Sequence, residues 1–124
     1  MKASEILIQG KQNIVDLGWA QGDYIVTDED PRNEASKVCG VCTLGACRLA
    51  LLGINKTVTP RTDVYLDRVL EVEDYAAYQD AVDLLEVATG DYDVAGWNDK
   101  VHRTRDDVLA VFDAAIAAAK RNEE

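Results

Sequence analysis

Apolar residues recur three and four positions apart over most of this chain, the spacing that gathers them on one side of a helix. Leu7, Gly10, Ile14 and Leu17 form the first such stripe and predict a helix over about Ser4–Leu17. Gly18 follows as a left-handed cap residue, which places Trp19 to fold back on Ile14. Tyr24-Ile25-Val26-Thr27 is β-branched and aromatic between Gly22-Asp23 and the acidic run Asp28-Glu29-Asp30-Pro31, and predicts a short strand or extended arm. Whether it pairs with Tyr92-Asp93-Val94 is open at this level. A polar surface loop runs to Ser36, which is suited to cap a helix over about Lys37–Leu52. Cys42, Gly45 or Ala46, Leu49 and Leu52 face inward there, and Gly53 stops the helix with Ile54 folding back on Leu49. A glycine inside a helix costs up to about 1 kcal/mol relative to alanine. The small residues Gly40, Gly45, Ala46 and Ala50 therefore predict close packing, and make this the central, most buried helix.

A loop over residues 54–61 carries Lys56 and Arg61, and Thr62 or Asp63 caps a short predicted helix to about Leu70 with Leu66, Val69 and Leu70 inward. A further helix from about Val72 or Asp74 to Ala88 places Tyr75, Tyr78, Val82 and Leu85 on one face, and Gly90 stops it. Thr104-Arg105-Asp106-Asp107 reads as a capping box with Asp in place of the preferred Glu. It opens a last helix with Val108, Phe112, Ala115, Ile116 and Ala119 buried, and Lys120 and Arg121 at the end that favours cations. These elements make one mostly α-helical domain over residues 1–124, of four to five helices with a short extended or β segment.

Composition narrows the class. A chain of 124 residues that is 48% apolar and 29% charged has enough core to fold without disulfides or metal. No apolar run approaches the roughly 18 residues of a membrane span, and the N-terminus MKASEILIQG lacks a signal-peptide core. The expected setting is cytoplasmic, with three cysteines kept as thiols and no membrane partner. Thirteen Lys and Arg against 23 Asp and Glu give a net charge of −10, which argues against direct nucleic-acid binding while leaving room for a small anion in a local basic pocket.

Cys39, Cys42, Cys47 and His102 supply the atoms of a Cys3His metal site, but not its spacing. On a helix Cys47 points roughly 140° away from Cys42, and no second ligand pair exists. No metal or other cofactor is expected. A Cys42–His102 nucleophilic pair oriented by Asp99 meets the objection that a thiol on a buried stripe is inert. The acidic runs Asp28-Glu29-Asp30 and Asp91/Asp93 lack the alternating ligands of a calcium loop.

Gly96-Trp97-Asn98-Asp99 with Arg103-Thr104 is the densest segment. Trp97 offers a stacking face, Asn98 an amide, and Arg103 with the helix amino end an anion site. The same residues also make an ordinary turn: an Asx turn at Asn98-Asp99, an Asp99–Arg103 pair, a Thr104 cap and a Trp97 core plug.

Gly18-Trp19-Ala20-Gln21-Gly22, Cys42-Thr43-Leu44-Gly45-Ala46 and Trp97-Asn98-Asp99 with Arg103-Thr104 and Val108-Leu109 occur in that order. This resembles a family of small proteins of unknown function, found in actinobacteria and bacteriophage genomes, with a GW-x-QG segment, a C-x-x-GA helix and a C-terminal WND…RT-x-x-x-VL signature. Cys39, Cys47 and His102 lie outside that pattern, which weakens both the metal and the Cys–His readings. The resemblance implies a bacterial or phage setting and no established activity. Three functions remain. The first is a binding protein that sequesters a small anionic or nucleotide-like ligand through Trp19, Gln21, Trp97, Asn98, Asp99, Arg103 and Thr104, as in phage counter-defence. The second is an acidic inhibitor that binds a protein partner by mimicking nucleic-acid charge. A small enzyme working through Cys42 or Asp99 is the third. The Ala-rich and Tyr-bearing faces of the last two helices suit a homodimer.

Overall fold

The computed structural model describes residues 1–27, 36–52, 57–58 and 75–123. Helix α1 (Ala3–Leu17) is followed by strands β1 (Ile25–Thr27) and β2 (Ser36–Val41), helix α2 (Thr43–Leu52) and strand β3 (Thr57–Val58). Helices α3 (Tyr75–Thr89), α4 (Val94–Asn98) and α5 (Arg105–Asn122) complete the described chain. The protein is mostly helical, with one small antiparallel sheet in the order β1-β2-β3. The short helix expected over Thr62–Leu70, the Gly53–Ile54 stop and both prolines lie outside the described residues.

Helix α1 packs on α2 and α5, and α3 packs on α5. Phe112, Ile6, Leu7, Ile14, Leu49, Leu85 and Val108 are fully buried where they meet. Gly10 is a close approach between these helices: a Cβ there would lie 3.1 Å from the Phe112 ring and 3.2 Å from Cys47 Sγ. The inward stripes expected for α1, α3 and α5 are those observed, with Leu17, Tyr75, Val82 and Ile116 half-buried at their margins. Thr104 caps α5 as expected, its Oγ1 accepting from the Asp107 N–H at 3.2 Å while Asp107 Oδ2 accepts from the Thr104 N–H at 3.0 Å.

The helix expected over Lys37–Leu52 is divided. Ser36–Val41 is a strand, so Ser36 caps nothing, and the helix begins at Thr43. Val38 and Gly40 are buried while Cys39 between them is exposed, an alternation that suits a strand. Cys42 supplies the cap instead: its Sγ accepts from the Gly45 N–H at 3.2 Å. From Thr43 to Leu51 no residue is exposed, so α2 is the buried central helix, six residues shorter than its stripe suggested.

β1 pairs with β2 through Ile25↔Val41, Val26↔Gly40 and Thr27↔Val38, which leaves Cys39 as a bulge. The Tyr24 segment thus finds β2 as its partner, and Val94 starts a helix. Gly18 also departs from expectation. Its φ of +94° is combined with an extended ψ of 159°, a region that only glycine occupies without strain. Past it, Trp19 bridges to Val41 beside β2. The Ala20 N–H donates to the Val41 carbonyl and the Val41 N–H to the Gly18 carbonyl, each at 2.9 Å.

The ends of the chain are tied together. Glu123 accepts from the Ser4 hydroxyl at 2.6 Å and from the Ser4 N–H at 3.2 Å, and these bonds hold its carboxyl below the ordinary value of 4.5. A lowered carboxylate stabilises the fold above its unfolded value, and that contribution is lost as pH falls through the folded one. The melting temperature of Glu123→Gln is accordingly expected to fall below wild type at neutral pH. The gap should close as pH drops below 4.5. A gap that persists unchanged at pH 3 would assign the effect to something other than the carboxylate.

Candidate functional site

The segments singled out in the sequence converge at the α4 end of the molecule. Asp93 caps α4, its Oδ1 accepting from the Gly96 N–H at 2.9 Å, and the helix delivers Trp97 and Asn98 into the interior. Asn98 is wholly buried. Its Oδ1 accepts from Trp19 Nε1 at 2.8 Å, from the Thr43 N–H at 3.0 Å and from Thr43 Oγ1 at 2.7 Å. Its Nδ2 donates to the Ala20 carbonyl and to Asp99 Oδ1, both at 3.0 Å. The amide thus joins the arm after α1, the first residue of α2 and its own turn, with both donor hydrogens and its acceptor oxygen in use.

The neighbouring polar groups extend the same network. Gln21 Nε2 donates to the carbonyls of Asn98 at 3.0 Å and Lys100 at 2.9 Å, and Asp99 Oδ1 accepts from the Gly22 N–H at 2.9 Å. Arg103 folds back over the turn: its Nε donates to the Trp97 carbonyl at 2.9 Å, and its guanidinium carbon lies 3.9 Å from the Trp97 ring centre. Trp97 is 7% exposed. All seven expected site residues therefore belong to one neighbourhood, with distinct roles within it. Trp19, Gln21, Asn98 and Asp99 bond to one another and to the backbone, and Thr104 is committed to the α5 cap. Asp99 does not pair with Arg103; its carboxylate holds the arm instead. Arg103 keeps its terminal nitrogens without a protein partner among the described residues.

Thr43 is the member that sequence reading missed. Its hydroxyl and N–H both serve Asn98, a role concealed while residues 37–52 read as one helix with Thr43 inside it. The adjacency of Thr43 to Cys42 at the head of the C-x-x-GA block is the signal that was there to use.

Two of the three thiols, Cys42 and Cys47, are buried. Burial pushes the Cys42 thiol above its ordinary range despite the Gly45 and Leu44 N–H groups beside it, and burial raises Cys47 further. His102 is exposed on the turn before α5 and bonds to neither Cys42 nor Asp99. Among the described residues no three His, Cys, Asp or Glu side chains are placed to share a metal ion. Native protein treated with a thiol-specific reagent should accordingly lose one thiol quickly, at exposed Cys39, and release Cys42 and Cys47 only on unfolding. Rapid labelling of Cys42 in the folded state would restore it as a nucleophile candidate.

A groove of about 360 Å³ lies elsewhere, where Ala3 of α1, Asp80 and Asp83 of α3, and Asn122 and Glu123 at the end of α5 meet. It shares no residue with the α4 end. No helix among the described residues is long and apolar enough to cross a membrane. No curated protein and no solved structure matches the chain. A family model does match, over residues 1–118, nearly the whole length and all three segments that meet around Asn98, and the chain belongs to that family, the family of unknown function DUF6197.

Proposed function

We propose that the protein works by binding, holding a small ligand at the α4 end and doing no chemistry on it. The observation that supports this most is the contrast between a locked interior and an open exterior in the turn 97–103. Asn98 saturates the inner side, while Arg103, Lys100 and Gln21 remain at least partly accessible on the outer side. A rigid turn carrying accessible polar groups binds with little ordering cost. In the bacterial or phage setting that the resemblance implies, such a protein acts as a sponge for a nucleotide-like signal. The raised thiols speak against an enzyme that uses Cys42 as its nucleophile.

Native mass spectrometry of protein purified from bacteria tests this directly. A retained small adduct, whose binding shifts the amide resonances of residues 97–103, is the expected result. A clean apo species, together with capture of a basic protein that is released by salt, would favour the acidic-inhibitor reading. Exposed Asp80 and Asp83 beside Glu123 are the observation on that side.

A further inference from the structure

We infer that the chemical group recognised at the α4 end is an oxyanion, phosphate or carboxylate, gripped by the Arg103 guanidinium, with Trp97 as the support beneath it rather than a stacking platform. This rests on the reading of the α4 end as the ligand-binding face.

Three observations carry it. Arg103 is fixed in advance: its Nε–H is held by the Trp97 carbonyl at 2.9 Å and its guanidinium carbon lies 3.9 Å from the centre of a ring that is itself buried in the core. An arginine so placed has little rotamer freedom left to lose, and four of its five N–H groups remain to meet two oxygens side by side. The carboxylates that would ordinarily neutralise it are engaged elsewhere. Asp99 holds Gly22 and Asn98, Asp107 holds Thr104, and Arg103 makes no ion pair among the described residues. An unpaired arginine is unexpected where 23 acidic side chains compete for 13 basic ones. Lys100, exposed on the same turn and likewise unpaired among the described residues, adds a second cation. Finally, Trp97 is 7% exposed with the guanidinium over its ring, so a flat ring system has to displace Arg103 before it can stack there. A nucleotide is therefore recognised here by its phosphate and not by its base.

The test is a titration of the full-length, ¹⁵N-labelled protein at constant ionic strength with inorganic pyrophosphate, citrate and adenosine. Pyrophosphate or citrate should shift the Arg103 Nε–H and Trp97 indole resonances saturably. Arg48 Nε–H, which bonds Tyr78 Oη at 3.0 Å, should stay still as the internal reference. Response to pyrophosphate alone assigns phosphate, and to citrate alone carboxylate. Adenosine should leave Trp97 unmoved. Arg103→Gln should weaken the oxyanion by about tenfold or more, and Arg103→Lys by less, since charge survives while the fork does not. Shifts that never saturate, an adenosine-driven shift at Trp97, or undiminished affinity in Arg103→Gln would overturn the inference. Should that variant fail to fold, the wild-type Nε–H resonance decides alone. A cellular adduct that maps to the turn while both oxyanions stay silent would refute the oxyanion and leave the binding reading standing. Saturable oxyanion binding without any cellular adduct would do the reverse.

Discussion

Asn98→Ala is expected to lower the free energy of unfolding by about 3–5 kcal/mol, a large share of the roughly 5–15 kcal/mol that holds a domain of this size together. The truncation removes one acceptor that serves three donors and one donor pair that serves two acceptors. These losses are unequal. Trp19 and Ala20 are half-buried, so water can reach their freed groups at small cost. Thr43 is fully buried, and its N–H and hydroxyl are left inside with no partner, at about 1–3 kcal/mol each. The cavity left by the amide adds to this. Urea unfolding followed by both circular dichroism and tryptophan emission measures the loss, and the shift in midpoint should exceed about 1 M. Asn98→Asp is the sharper control: it keeps an acceptor for Thr43 but turns oxygens toward the Ala20 carbonyl and the Asp99 carboxylate, which are now unpaired or repelled. A loss below about 1 kcal/mol in the alanine variant would mean that Thr43 finds another partner and that Asn98 does not hold the three segments together.

How legible this arrangement was depended on whether its signals were local. Helices α1, α3 and α5 carry their apolar stripes, stops and caps within a few turns of sequence, and Gly18, Gly90 and the Thr104 box mark their ends. The strand at Ser36–Val41 was hidden because the residue that starts the following helix is a cysteine. Cys42 caps α2 through sulfur, outside the Ser, Thr, Asp and Asn set that marks a helix start. Ser36 is therefore the nearest acceptable cap in the sequence, and the apolar stripe it heads runs across β2 into α2. The extended ψ at Gly18 was likewise invisible, because a positive φ is legible from glycine but the ψ that accompanies it goes with the bond to Val41 of β2, 23 residues on. For the candidate site, clustering was legible from the density of aromatic and turn-forming polar residues at 18–22 and 97–104. What each group bonds to was not. Trp19 reaches Asn98 across 79 positions and Thr43 reaches it across 55, and such pairings have no local signature. The sequence does pose the choice between pocket and scaffold, and the geometry divides the residues between the two, with Asn98 and its partners on the scaffold side and Arg103 left open.

Gly45→Ala is the second substitution expected to have a large effect, and it runs against helix propensity. Gly45 lies in the first turn of α2, where alanine by itself favours the helix by up to about 1 kcal/mol. Its φ is not the reason for glycine, because the residue is helical and alanine adopts that backbone freely. The reason is the backbone just before β1: a Cβ at this position would run into the Tyr24 carbonyl oxygen and lie 2.7 Å from its carbon. The obstacle is backbone, so no rotamer change relieves it. That carbonyl also accepts the Cys42 N–H at 3.2 Å, which ties the entry to β1 to the cap of α2. Relief requires the strand to move away, and with it the Cys42 bond and the β1–β2 register beside it. A net destabilisation of about 2 kcal/mol or more is expected after the propensity gain is offset. Gly10→Ala provides the contrast within the same core. There the nearest atoms are a phenyl edge at 3.1 Å and a thiol at 3.2 Å, side chains that can yield by a few tenths of an ångström. Its cost should be smaller than that of Gly45→Ala. Equal losses in the two variants, or a gain at Gly45, would show that β1 is not seated against α2. The Gly45 N–H bond to Cys42 sulfur would then be the only local reason for this residue, and alanine can make that bond as well as glycine.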